Sequence, residues 1–510
     1  MRADDGPAWW KESLPSSEPS YPDGYPPVWN ETRESNNKGA ANLGQAKWVA
    51  KNALAAIGTF NPVLASSIED DLVGVGKPIP NWNAPVNQAE RDKNHAPLLL
   101  GQLKAIALPF YNHLNLAAPD WVLEQIQENH AGDAVLNTHY WQISGDSNYT
   151  EDGYFAWNPA TPSAVNHQPA TIGQLKALFS LRFETVPLAA FAYGRTGGAA
   201  EMNLWAPTGL YDNESKSSTD DYHNARDPGT NVNYTFNPDL WCKKLLPQLT
   251  CVVVAKDDCG TNFLPAGECW RARYGGVAIT KRHVLYCAHA YTHAQGTWAI
   301  NGNTTNSPPT RLRFIDKNGN TVDRIQLHQA SAGDAFSNAA NDSGAHPADL
   351  CVAVLDQDLP DTVFIPKIIP SLSSLAVDGA FDEIGVSQEW QPGAYQSPTS
   401  PEESEYYPRH NRQMIYLHRM KTGHGPFPPF EYNQWGGDSG TPSFTLAKGN
   451  LVLSIINGAE NLAGTRHGWT AEDRLNTLIG LADQYAINLG RMSVPTGYTV
   501  TIAADSDFDQ

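Results

Sequence analysis

Apolar residues in the C-terminal half of the chain come in short runs bounded by glycine, proline, asparagine or aspartate, a pattern that predicts strands. Residues 277–280, 284–290 and 350–355 are such runs, and residues 451–458 make another. Residues 311–315 and 321–327 flank Asp316-Lys317-Asn318-Gly319-Asn320, which predicts a hairpin turning at Asn318-Gly319. One stretch departs from the strand pattern. After Thr470, residues Leu475, Leu478, Ile479, Ala482, Tyr485, Ala486 and Leu489 recur at helical spacing; Thr470 with Asp473 forms an Asp version of the capping box, and Gly490 closes the helix.

The N-terminal part has a different texture, rich in Trp, Asn, Pro and Ala and without cysteine. A motif recurs there at residues 41–47, 99–105 and 171–177, with Gly44, Gly101 and Gly173 followed by Gln45, Gln102 and Gln174 and by Lys47, Lys104 and Lys176. Each copy is expected to open a helix. The predicted arrangement is a set of short helices packed through Leu and aromatic residues, with glycine allowing close approach and the Gln and Lys side chains directed outward. Exposed Trp9, Trp10 and Trp29 suit either a surface or glycan ligand of the repeats or the anchoring of an extended arm; a scaffold role is the plainer expectation.

Composition narrows the function. The chain has 510 residues, enough for two or three domains, and a formal net charge of −19 spread along its length, which excludes nucleic-acid binding through a basic face. No apolar run approaches the roughly 18 residues of a membrane span. Residues 1–5 carry no apolar signal core. The six cysteines, Cys242, Cys251, Cys259, Cys269, Cys287 and Cys351, are even in number and clustered, which suits disulfides and an extracellular or cell-surface setting in preference to the cytoplasm. Pairs Cys259–Cys269 and Cys287–Cys351 are the expected bridges, although spacing alone leaves the connectivity open. No Cys-x-x-Cys pair is present, and His289 and His293 lack an intervening His-Glu-x-x-His glutamate, so neither a metal nor another cofactor is expected.

The candidate chemistry lies in Trp435-Gly436-Gly437-Asp438-Ser439-Gly440-Thr441-Pro442. Glycines around an Asp-Ser pair allow a sharp turn that exposes the Ser439 hydroxyl and aims the amides of Gly437 and Ser439 at one point, forming an oxyanion hole. A serine nucleophile needs an imidazole base, and the base needs a carboxylate to orient it. His289 follows a run ending in small residues, and Asp349 stands at the mouth of the 350–355 run, where an ionised carboxylate calls for a partner. The separations are 349 − 289 = 60 and 439 − 349 = 90 residues.

Together, Cys287-Ala288-His289, Asp349-Leu350-Cys351-Val352 and Gly437-Asp438-Ser439-Gly440-Thr441-Pro442 resemble the chymotrypsin-like (trypsin-fold) serine peptidases over about residues 236–492. The resemblance implies an all-β double β-barrel with a C-terminal helix, and a triad of His289, Asp349 and Ser439. It also implies that Asn433 lies at the base of a specificity pocket and that Ile456, Asn457 and Gly458 belong to the strand that pairs with substrate backbone. An amide at Asn433 argues against cleavage after basic residues. No Ile-Val-Gly-Gly-like segment precedes the His strand, so activation through a newly cut N-terminus has no support.

The expected organisation is therefore multidomain: an extended Pro/Ser-rich arm (1–35), a mainly helical repeat region (36–195), a linker (196–235) and a trypsin-like peptidase domain (236–510). The expected activity is hydrolysis of a protein or peptide substrate by a serine endopeptidase. A catalytically silent adhesion or binding protein of the same fold, and an esterase or transacylase using the same triad, are the alternatives.

Overall fold

The structure is a computed structural model that describes residues 39–80, 93–122, 124–125, 167–179, 181–195, 199–202, 204, 235–249, 253–256, 275–288, 311–332, 349–371, 382–387, 414–419, 440–457, 460–462, 468–505 and 508. The chain divides into two compact units, residues 1–195 with residue 510, and residues 196–509.

The first unit contains helices α1 (Leu43–Phe60), α2 (Pro62–Leu72), α3 (Leu100–Ala117), α4 (Ile172–Leu178) and α5 (Leu188–Ala192). The repeated motif begins α1, α3 and α4, with its glutamine at the third helical position. That side chain folds back on the helix start: Oε1 of Gln45, Gln102 and Gln174 accepts the backbone N–H of Asn42, Leu99 and Thr171 at 3.0, 3.0 and 2.7 Å. Asn42 and Thr171 complete the box by accepting the amides of Gln45 and Gln174 at 2.8 and 3.2 Å, satisfying donors that a helix start otherwise leaves orphaned. The expectation of outward-facing Gln and Lys holds for Gln102, which is exposed, and is corrected at other positions. Gln45 and Lys104 are buried, and Lys47 Nζ donates to Asn94 Oδ1 at 3.0 Å. Nor are the helices uniformly short, since α1 and α3 each run 18 residues.

The segments preceding the three caps bind one another in a ring. Ala41 N–H donates to the Ala170 carbonyl at 2.9 Å, Ala170 N–H to Leu98 at 2.7 Å, and Leu98 N–H back to Ala41 at 2.9 Å. A second ring runs in the opposite sense around the three copies: Leu43 N–H donates to Ala96 at 3.2 Å, Leu100 to Gln168 at 2.9 Å, and Ile172 to Gly39 at 2.8 Å. The copies therefore form a closed trio and not an open array. Aromatic packing fills the space between helices: Phe110 meets Phe179 edge-on at 5.3 Å, and Phe60 lies 5.2 Å from Phe191.

The second unit opens with helix α6 (Ala199–Met202) and a short helix α7 (Leu246–Leu249), and continues with strands β1 (Val253–Lys256), β2 (Val277–Ala278), β3 (His283–Cys287), β4 (Arg311–Ile315), β5 (Thr321–Ser331), β6 (Leu350–Leu355), β7 (Lys367–Ile368), β8 (Asp382–Ser387), β9 (Met414–Arg419), β10 (Pro442–Ala447), β11 (Asn450–Ile456) and β12 (Glu460–Asn461). Helix α8 (Ala471–Asn488) follows. The strands form two mostly antiparallel sheets, one of them curved into a half-barrel. The first sheet runs β1-β4-β5-β6-β3-β2, so β4, β5 and β6 meander while β3 returns beside β6 in Greek-key fashion. The second runs β12-β11-β10-β8-β9, with β7 parallel to β11.

Local sequence explains the hairpin. Asp316 Oδ1 accepts the amides of Asn318 and Asn320, each at 2.8 Å, and Gly319 takes φ +82°, the left-handed turn conformation that glycine adopts without strain. Burial alone would raise the Asp316 carboxyl, but the bonds from Asn320, Asn318 and Thr362 outweigh it and hold it below its ordinary value. Across the hairpin, Arg313 grips Asp323 with two bonds of 2.8 and 2.9 Å. Tyr286, Leu312, Phe314, Cys351, Ala353 and Leu355 pack as the core of the first sheet.

Helix α8 lies on β5 and β6 and begins with the expected box, Thr470 Oγ1 accepting the amide of Asp473 at 3.1 Å and Asp473 Oδ2 accepting that of Thr470 at 3.2 Å. Past the helix the chain crosses to the second sheet, where Ile368 N–H donates to Thr501 and Ala503 N–H to Ile368 at 2.8 and 2.9 Å. Among the described residues no helix is long and apolar enough to cross a membrane.

One further expectation changes. The bridge between Cys287 and Cys351 does not form. Cys351 stands opposite Tyr286 and Cys287 opposite Leu350, so the two side chains leave the sheet on opposite faces, and both remain buried thiols. Cys259 and Cys269 lie outside the described residues. Within the second unit, Trp241 N–H donates to Glu201 at 2.9 Å, Asn237 N–H to Leu204 at 2.9 Å, and the buried Trp241 indole to the Ile415 carbonyl of β9 at 2.8 Å.

Candidate active site

Asp349 immediately precedes β6, whose residues are all buried, and is itself 7% exposed. The pairing of Cys287 with Leu350 carries Asp349, one step further along the antiparallel register, level with Ala288. Ala288 is the residue before His289. His289 itself lies outside the described residues, as do Asn433, Gly437, Ser439 and Gly458; Trp9, Trp10 and Trp29 do too.

Gly440, the residue after Ser439, has φ +84°. A Cβ at this position would stand 2.4 Å from the Gly275 carbonyl oxygen and 3.3 Å from the Cys287 amide nitrogen. Gly275 is equally constrained, because a Cβ there would meet Thr441 Cγ2 at 2.4 Å and Thr441 Cα at 2.8 Å. Two glycines thus let the backbone of the Gly440 turn touch the backbone beside β2 and β3, where any side chain would hold them apart. The chain neighbours of Ser439 and the chain neighbours of His289 meet at this contact. Sequence reasoning missed Gly275; the signal was the Gly275-Gly276 pair directly before a strand.

Ile456 and Asn457 were expected in the strand that pairs with substrate backbone; Ile456 closes β11, and both residues are buried, 0% and 1% exposed. Asn457 turns its side chain inward. Its N–H donates to the Thr441 carbonyl at 2.9 Å and its carbonyl accepts Gly440 N–H at 2.8 Å. Its Nδ2 donates to Thr441 Oγ1 at 2.7 Å and Tyr416 Oη at 3.2 Å, and its Oδ1 accepts Ser443 Oγ at 3.2 Å.

A second His–carboxylate pair exists. His283 Nε2 meets Asp483 Oδ1 at 3.1 Å, and its Nδ1 meets Thr280 Oγ1 at 2.8 Å. The order Thr-His-Asp imitates a nucleophile with its base and acid, but His283 is 0% and Thr280 4% exposed, so no substrate carbonyl reaches the hydroxyl. The pair ties α8 to β3. Burial opposes ionisation of Asp483, yet the bonds from His283 and from the Thr496 N–H and hydroxyl prevail and hold its carboxyl below the ordinary range. Among the described residues no group of three or more His, Cys, Asp or Glu is placed to hold a metal ion.

No protein-family model matches this chain, and no curated protein matches it.

Proposed function

We propose that the second unit is a serine endopeptidase of the chymotrypsin type, its two sheets corresponding to the two barrels of that fold. Ser439 attacks a peptide carbonyl, His289 takes the proton and returns it to the leaving amine, and Asp349 holds the imidazole in the productive tautomer. The amides of Gly437 and Ser439 stabilise the oxyanion, and water then releases the acyl-enzyme. Each step needs only groups of this chain.

The observation that carries this reading is the contact between Gly440, Gly275 and the Cys287 amide, combined with the register that sets Asp349 level with Ala288. The immediate chain neighbours of the three motif residues are thereby gathered in one place, although the motifs are far apart in sequence.

The test uses the full chain and a fluorophosphonate probe. Labelling is expected at Ser439 and is lost in Ser439→Ala. Matched amide and ester substrates then separate peptidase from esterase, the peptidase cleaving both. Folded protein that neither takes up the probe nor cleaves an unfolded protein substrate overturns the proposal.

A further inference from the structure

The turn that carries Ser439 is held from inside the second sheet by one side chain. Backbone bonds from Asn457 to Gly440 and Thr441 extend the β10–β11 pairing by one step, and any residue at 457 would retain them. The carboxamide does what no other side chain there could do. It gives one hydrogen to Thr441 Oγ1 and one to Tyr416 Oη, and it takes one from Ser443 Oγ, so every hydrogen-bonding atom of the amide group is engaged.

Tyr416 is a rigid anchor for this arrangement. Its ring lies across Gly385 of β8, where a Cβ would fall 2.1 Å from Tyr416 Cζ, so the phenol has no room to move toward β8. On its other side Thr441 lies close over Gly275, where a Cβ would fall 2.4 Å from its Cγ2 and 2.8 Å from its Cα. The side chain of Asn457 therefore holds Thr441, and through it the adjoining Gly440, in place from within the second sheet.

We infer that Asn457 is a positioning residue for the nucleophile, acting through Thr441. This rests on the peptidase reading above. A buried network of this kind sets geometry more than affinity, so its loss falls on the acylation step and spares substrate binding. Misplacing a reacting group by about 1 Å costs on the order of 100-fold in rate.

The second-order rate of fluorophosphonate labelling, together with kcat and KM on an amide substrate, is measured in full-length wild type, Asn457→Ala, Thr441→Val, Thr441→Ser and Asp316→Ala. The expected result is labelling slowed about 100-fold in Asn457→Ala, with kcat reduced and KM little changed. Thr441→Val behaves alike, Thr441→Ser restores most of the rate by keeping the hydroxyl acceptor, and the double variant Asn457→Ala/Thr441→Val is no slower than either single one. Asp316→Ala loosens a hairpin turn of the other sheet and serves as the stability control. Labelling of Asn457→Ala at the wild-type rate overturns the inference, as does an equal slowing in Asp316→Ala at matched loss of melting temperature. Should Asn457→Ala fail to fold, equal rates in Thr441→Val and Thr441→Ser overturn it. A wild type that is folded and unlabelled removes the peptidase reading itself and this inference with it.

Discussion

Gly440→Ala isolates the contact on which the site depends. Its φ of +84° already disfavours any L side chain, at a cost of about 1–2 kcal/mol. Beyond that, the new methyl would stand 2.4 Å from the Gly275 carbonyl oxygen, where ordinary contact begins at 3.4 Å. Something must therefore move by about 1 Å, and the neighbour is backbone, which does not swing aside as a long side chain would. A displacement of that size at a nucleophile costs about 100-fold in rate, close to 2.7 kcal/mol in the barrier. Gly490→Ala supplies the comparison, because Gly490 has φ +67° but nothing within 4 Å of its missing Cβ. Both variants carry the backbone cost, and only one carries the clash. Fluorophosphonate labelling rates and melting temperatures of the two are expected to show a modest stability loss in both and a loss of labelling in Gly440→Ala alone. Labelling of Gly440→Ala within about twofold of Gly490→Ala refutes the argument that this turn is set by the Gly275 contact.

Asp483 predicts a signed dependence on pH. Its folded carboxyl is held below the value of about 3.9 that it has when unfolded, so its stabilisation is complete above pH 4 or so and disappears as pH falls through the lower folded value. The gap in urea midpoint between wild type and Asp483→Asn is expected to be wider at pH 7 than at pH 3; an unchanged gap refutes the assignment. In the first unit, Gln45→Ala and Gln102→Ala each remove an acceptor from a helix start and are expected to cost about 1 kcal/mol, read as a shift in the denaturant midpoint of the unfolding transition that involves residues 39–195. Midpoints unmoved by either change show that the folded-back glutamines contribute nothing.

What was legible in the sequence was what neighbouring residues decide among themselves. Helix α8 starts where Thr470 and Asp473 announce it, and the β4–β5 hairpin turns at Asn318-Gly319, because a capping box and a left-handed turn are each settled within a few residues. The repeats were visible as repeats, but their meaning was not. Leu99 is no capping residue, so the shared cap is not read from residue types at the second copy; the amide of Leu99 nonetheless donates the same bond as its counterparts. The ring of Ala41, Leu98 and Ala170 is made of backbone groups, which leave no mark on residue type.

The misjudged Cys287–Cys351 bridge and the inward turn of Asn457 have a common origin. Two positions can sit on adjacent strands and still face opposite sides of a sheet, and only the register decides which. The register here follows from how β3 meets β6, which lie far apart in sequence, and from the shift at Ser443 and Phe444 where β10 meets β11. The meeting of the two sheets goes one step further, because at Gly275 and Gly440 it is backbone against backbone. An apolar pattern records only side chains that are present, so a contact built on their absence shows itself as two unremarkable glycines, far apart in the chain. The placement of Gly440 is consequently inherited from the docking of the sheets, and substitutions at Gly275 or Asn457 are expected to act on it as directly as changes at Gly440 itself.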